Sequence, residues 1–280
     1  MCFLNRRRWI SIGLAATLCI GSNLGAQESS PPSGALPSAP AAQPSGSTDV
    51  PLEQQPHSSP TVMNSPKHIT TDLTRIVASP VYLRKGDLKW LLPLAGASAA
   101  AFATDTHTMQ EVVSHDPAFN NAAINVSNGL LGGFIGVPVA MFGVGSVTHK
   151  ERMREAGIVA GESMIDAYVV DEITKLVTFR ERPFIDNAQG EFYIGKAGVN
   201  SSFVSGHSML SWSSAAAISG EYHSRWVSLA AYSAAAGVSA TRVMGQEHFP
   251  TDVLIGAAGG WLIGHFVYRA HHHADVERSH

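Results

Sequence analysis

Cysteine is nearly missing from this chain. Its 280 residues hold two, Cys2 and Cys19, both within the first twenty positions. Past that point there is nothing from which to build a disulfide, a thiolate nucleophile or a cysteine–metal site. Charge is scarce as well. Only 15% of residues are charged and the formal net charge is −3. No basic stripe tracks a nucleic-acid backbone, and no acidic run serves as a solvating tail, so nucleic acid is not an expected partner. Few stretches alternate apolar and polar residues with period two, which leaves little material for strands. What is plentiful is apolar: 45% of the chain is hydrophobic, enough to bury a sizeable core in one domain of ordinary size.

The N-terminus has the shape of an export signal over residues 1–26. Arg6, Arg7 and Arg8 precede a short apolar stretch from Ile10 to Ile20, and the small residues Gly25 and Ala26 stand before Gln27. An uncleaved membrane anchor is the competing reading. Leu18 before Cys19 argues against a lipoprotein site, which wants a small residue there. Residues 27–66 hold nine of the fifteen prolines, interleaved with Ser, Ala, Gln and Gly. Such a segment has too few large apolar groups to offset its ordering entropy and reads as a disordered linker. The folded domain is expected over 67–270, followed by a His-rich tail over 271–280. The run His271 to His273 reads as solvated rather than as a metal site.

Helical periodicity marks six segments, 88–104, 122–147, 152–178, 207–220, 225–242 and 250–269, with a short extra helix over 72–77. The expected fold class is all-α, a bundle of about six helices with a long connection between helices three and four. Residues 129–147 are uncharged and nearly reach the about 20 residues a membrane span needs. The other segments fit less well: the third carries Glu155, Glu162, Asp166, Asp171 and Glu172. A cleaved signal would place residue 27 outside, and six crossings would then turn the 179–206 connection to the cytoplasm. The expectation is therefore a soluble or peripheral periplasmic domain, with the inner membrane as the alternative.

Three segments carry chemistry. In the first, Lys175 and Arg182 stand seven apart, two helical turns and so one face, and Pro183 pushes Arg182 toward an extended backbone and ends the helix. Two cations at a helix end suit a phosphate, although alone such a pair is usually a solvated face. In the second, Ser205, Gly206 and His207 lead into a helix. Glycine lets the backbone approach a ligand, free N–H groups at a helix start favour an anion, and the imidazole offers acid–base chemistry. The bland alternative is a serine helix cap beside a surface histidine. In the third, Asp252 follows His248 by four residues with Pro250 between them. Proline suits the first turn of a helix, so the carboxylate is within reach of one imidazole nitrogen and leaves the other as a nucleophile. Arg242 adds a bidentate phosphate donor.

Taken as an ordered set, Lys175/Arg182/Pro183, Ser205/Gly206/His207 and Arg242/His248/Asp252 resemble the three-part signature of the type 2 phosphatidic acid phosphatase superfamily. That superfamily also includes bacterial class A acid phosphatases and vanadium haloperoxidases. Two positions depart from the pattern: Val204 stands where the family usually has proline, and Thr241 where it usually has serine. The β-branched Val204 still favours the extended backbone.

The resemblance implies a phosphatase with no cofactor and no metal. Lys175, Arg182 and Arg242 would bind the phosphoryl oxygens, with Ser205 and the Gly206 N–H adding hydrogen bonds. His248 would attack phosphorus, Asp252 would orient it, and His207 would protonate the leaving oxygen and then activate water. The expected partner is a phosphorylated small molecule or a lipid phosphate, with possible peripheral membrane contact. A vanadium-dependent haloperoxidase and an inactive phosphate-binding envelope protein remain as alternatives.

Overall fold

A computed structural model describes residues 64–78, 86, 88–193 and 200–277. The chain divides into Met1–Pro51 and Leu52–His280. The export signal and almost all of the proline-rich linker lie outside the described residues.

Among the described residues seven α-helices follow one another: α1 (Ser65–Ala78), α2 (Leu88–His107), α3 (Pro117–Val147), α4 (Glu151–Thr178), α5 (Gly206–Tyr222), α6 (Arg225–Met244) and α7 (Pro250–Glu277). No strand occurs among the described residues. The all-α bundle with its long α4–α5 connection is as the sequence implies, and the differences lie at the helix ends. α3 begins at Pro117, five residues before the expected 122, because Asp116 caps it by accepting from the Ala118 N–H at 3.0 Å and Pro117 fills the first turn. α4 ends at Thr178, where Phe179 turns left-handed (φ 45°) and its N–H closes on the Lys175 carbonyl. Arg182 and Pro183 therefore lie beyond the helix. Lys175 and Arg182 do not share a helical face: the chain reversal after Phe179 brings them together.

The expected tail boundary at residue 271 is absent. α7 continues to Glu277, and His271 is not solvated. Its side chain is 8% exposed and its Nε2 pairs with Glu162 of α4 at 2.5 Å. A buried carboxylate needs a partner, and this imidazole supplies one.

α5 is the central helix. It packs most extensively against α7, and also against α4 and α6. The α5–α7 contact is close because α7 presents Gly256, Gly260 and Gly264 to α5. A Cβ on Gly260 would press into the Met209 carbonyl, and one on Gly264 into the Ser213 carbonyl. The core between α4, α5 and α7 is small and tightly filled: Val159, Ala160, Ala167, Met209, Ala217, Ile263 and Val267 are all buried. The outer surface is different. α3 exposes Val126, Ile135, Val137, Val139 and Val144, α2 exposes Trp90 and Leu92, and α6 exposes Trp226 and Leu229.

Candidate active site

Chain direction gathers the three sequence segments at one end of the bundle. α4 arrives there with Lys175 in its last turn, and the connection returns to start α5 at Gly206. α6 arrives with Arg242, and α7 leaves with Asp252 in its first turn. The charges of Lys175, Arg182, Arg242 and His248 all act on His207, so the expected residues do converge.

His248 lies in the short connection between α6 and α7 and is buried. Its Nδ1–H donates to the Ser202 carbonyl at 2.7 Å. That bond fixes the tautomer, so Nε2 carries the lone pair a nucleophile needs. Asp252 approaches Nδ1 only to 3.8 Å, too far for a hydrogen bond. Its oxygens are occupied otherwise: Oδ1 accepts from Arg180 at 2.6 Å, and Oδ2 accepts from Ser202 Oγ at 2.5 Å and the Phe249 N–H at 2.9 Å. Asp252 thus holds the residue whose carbonyl holds the imidazole, rather than the imidazole itself. Burial pushes the His248 imidazole down to about 4 even though the Asp252 charge pulls the other way.

Arg180, Ser202 and Asp105 are the residues that the sequence motifs missed. Arg180 is buried and bridges Asp252 to Asp105 of α2, which it reaches at 2.8 Å. Asp105 also accepts from the Thr251 hydroxyl at 2.6 Å and the Thr251 N–H at 3.1 Å. Phe249 lies under the guanidinium, 4.0 Å from ring centroid to Arg180 Cζ. A buried cation between two carboxylates, with aromatic faces on it, is a satisfied and rigid unit. No local pattern announces it, since its members lie 72 and 75 residues apart.

The candidate phosphate ligands have partners of their own. Lys175 Nζ binds Asp171 at 2.6 Å and Glu172 at 3.3 Å. Glu247, also missed, takes both arginines on one carboxylate oxygen: Arg182 Nη1 donates to it closely and Arg242 Nη2 at 3.1 Å. A carboxylate across two guanidiniums resembles the anion those guanidiniums would bind. Donors remain for a ligand among the described residues. Ser205 Oγ and Arg242 Nε are buried and have no partner. Ser205 forms no side-chain cap on α5, so the first N–H groups of that helix keep their positive end. Gly206 is required by space, because a Cβ there would meet Asp171 Oδ2 at 2.5 Å.

His207 stands in the first turn of α5, and its Nε2–H donates to Asn128 Oδ1 of α3 at 2.9 Å. Burial, and then the charges of Arg242, His248, Lys175 and Arg182, hold it down at about 3.

This constellation defines a cationic anion site, made at helix ends, around a neutral histidine. Residues 156–275, which run from α4 through α7 and include every candidate site residue, match the family model of the PAP2 superfamily. Among characterised proteins the chain is similar to the lipid A 4'-phosphatase of Porphyromonas gingivalis, with 28% identity over 135 residues, 45% of this chain and 56% of that protein. The chain thus spans little more than half the length of that relative. No solved structure matches.

Proposed function

We propose that this chain is a phosphoric ester hydrolase acting on a lipid phosphate, with His248 as nucleophile and a phosphohistidine intermediate. The observation that carries the reading is the His248 imidazole, tied at Nδ1 to the Ser202 carbonyl and so nucleophilic at Nε2. Around it, Arg182, Arg242 and Lys175 would take the phosphoryl oxygens, with Ser205 Oγ and the first N–H groups of α5 completing the cradle. In the first step Nε2 forms a bond to phosphorus while the phosphorus–alkoxide bond breaks and His207 delivers the proton to the leaving oxygen. In the second, His207 takes a proton from water, whose oxygen displaces His248 and releases phosphate. The PAP2 match and the lipid A 4'-phosphatase relative support the reaction class.

The surface supports the lipid part and a membrane location. α3 and the stretch Pro250–His272 are long and apolar enough to cross a membrane, and only 17% and 33% of their apolar windows are buried, unlike core helices of a soluble protein. The exposed valines, isoleucine and tryptophans would face lipid, since soluble monomers rarely expose contiguous apolar patches beyond a few hundred Å². The site residues gather at one end of the bundle, in the α4–α5 and α6–α7 connections and in the helix turns that flank them. Basic residues crowd the other end: Lys89 at the start of α2, Lys150, Arg152 and Arg154 at the α3–α4 turn, and Arg225 at the α5–α6 turn. Positive residues stay on the cytoplasmic side, so the site would face outward. That orientation starts α2 from the cytoplasmic side and so competes with the cleaved export signal, which would place residue 27 outside.

Two experiments test this. The full chain in mild detergent with EDTA should release phosphate from a lipid phosphate monoester and trap acid-labile phosphate on the protein. His248→Ala should lose both, with turnover down by about 10⁴-fold or more; retained turnover would remove His248 as nucleophile. For topology, single cysteines at 149 and 186 in a chain with Cys2 and Cys19 replaced would be exposed to an impermeant maleimide on intact cells with a permeabilised outer layer. Labelling at 186 alone supports a spanning bundle; labelling at both places the whole domain outside.

A further inference from the structure

Far from the catalytic end, α1, α4 and α7 bring together a group that the reaction does not use. We propose that His68 (α1), Glu162 (α4) and His271 (α7), backed by Asp72 and Asp166, form a binding site for a first-row divalent cation, zinc by its donor set, that clamps α1 to the bundle.

The geometry is that of a loosely closed metal site. One donor atom from each of His68, Glu162 and His271 lies within 4.8 Å of the others. Glu162 Oε2 is 2.5 Å from His271 Nε2 and 3.8 Å from His68 Nδ1, and the two rings meet edge to face at 4.8 Å between centroids. Around a tetrahedral zinc, with donors at about 2.0–2.2 Å, neighbouring donors stand roughly 3.3–3.6 Å apart. Closing the site needs His68 of α1 to move inward by about an ångström, and the hydrogen-bonded Glu162–His271 pair to open by about as much as the ion takes the place of the shared proton. Two imidazoles and a carboxylate are a donor set that first-row divalent ions prefer, and they leave a fourth position open.

The cluster is rich in buried acidic groups. Asp72, Glu162 and Asp166 are 4%, 4% and 0% exposed. Among the described residues neither oxygen of Asp166, nor Glu162 Oε1, nor His68 Nδ1 has a hydrogen-bond partner. The charges of Asp72, Glu162 and His271 all act on Asp166, so its unpaired carboxyl group stands near the cluster. Arg75 acts on Asp72 only from an exposed position. Buried carboxylates without partners are costly, and ionisable groups gathered within a membrane-embedded bundle, as proposed above, would mark a function. A divalent ion would satisfy them. Separation from catalysis follows from helix rise: Glu162 and Lys175 are 13 residues apart, about 20 Å along α4.

The test uses the full chain without a polyhistidine tag, purified in detergent, stripped with EDTA, and titrated with Zn²⁺ or Co²⁺. One equivalent should bind, Co²⁺ should give the visible spectrum of a four-coordinate site, and Zn²⁺ should raise the melting temperature and protect the α1 segment from protease. Glu162→Gln and His68→Gln should each weaken binding by more than about 100-fold, beyond the 10–100-fold that an outer-shell partner is worth, while phosphatase turnover is unchanged. A control, His272→Gln with His273→Gln, should keep the site. If Glu162→Gln and His68→Gln bind as tightly as the parent and only the control loses metal, the histidine run binds adventitiously and the proposal falls. It also falls if the stripped parent takes up no Zn²⁺ and its melting temperature does not respond. Loss of phosphatase activity would not bear on these binding readouts, so the two proposals fail separately.

Discussion

α3 and α7 are both long, apolar and rich in glycine, yet they use glycine in opposite ways. In α7, Gly256, Gly260 and Gly264 face α5, and a Cβ on Gly256 would meet the Ser205 carbonyl at 2.8 Å. In α3, Gly129, Gly132, Gly133, Gly136 and Gly143 have nothing within 4 Å of where a Cβ would be. The first set sets a backbone distance, and through the Ser205 carbonyl it fixes where the α5 N-terminus sits relative to Asp252. The second set lies on a surface that meets no protein. Similar composition therefore builds a rigid catalytic support on one helix and an outward apolar wall on the other. The lesson concerns position: a glycine's neighbours, not its frequency, decide whether it matters.

The largest expected effect comes from the place where α2 reaches the catalytic support. α2 buries a single residue, Asp105, and that residue holds Arg180 and Thr251. Asp105→Ala would leave half of a buried guanidinium unpaired, which costs about 3–5 kcal/mol. Thermal unfolding in detergent should show this, and the surviving folded fraction should turn over slowly because Asp252 loses its anchor. A variant as stable as the parent would mean that α2 is as passive as the outward face of α3.

Much of this arrangement was legible in the sequence, and the rest was not, for definite reasons. The helix count and the long connection follow from periodicity and from Pro and Gly punctuation. Lys175, Arg182, Ser205, Gly206, His207, Arg242, His248 and Asp252 are readable because each sits at a fixed short spacing from a partner. Arg180, Asp105, Ser202 and Asn128 act across 46 to 79 residues of separation, and no local pattern encodes such pairs. His271 misled because a polar run near the end of a chain usually is solvated, whereas here the helix continues and a buried carboxylate waits opposite. The outward face of α3 was half visible: its apolarity could be read, but not that so little of it is covered.

The glycines give the next effect. Gly260→Ala should cost on the order of 1–3 kcal/mol, because α5 and α7 must part. Gly133→Ala should be neutral or stabilising by up to about 1 kcal/mol, since alanine is the better helix former and the site is open. Melting temperatures of the two variants, measured side by side, sharpen the comparison. Equal destabilisation would show that α3 is also packed in the native state, for instance against a second copy.

The pH dependence probes the catalytic support alone. In the free site burial holds the His248 imidazole down at about 4, and burial with the neighbouring cations holds His207 down at about 3. The nucleophile must be neutral and the acid protonated, so above pH 4 His248 is ready while the protonated fraction of His207 declines as pH rises. A bound phosphate adds negative charge beside His207 and screens the arginines, which raises its affinity for a proton. The basic limb of kcat, which reports the bound state, should therefore lie at higher pH than that of kcat/KM once the substrate's own ionisation is allowed for. Coincident limbs would argue against His207 as the acid.

Glu247 gives the smallest effect and the most pointed one. Its carboxylate engages Arg182 and Arg242, the two guanidiniums expected to receive phosphate. A substrate must displace that carboxylate or share the arginines with it, and either way the like charges oppose one another. Glu247→Gln keeps the shape and removes the charge. Inorganic phosphate should then inhibit at several-fold lower concentration, and KM should fall in the same direction. If phosphate binds more weakly instead, Glu247 serves to hold the two guanidiniums in place, and the catalytic end is as dependent on its polar scaffold at Glu247 as it is at Asp105.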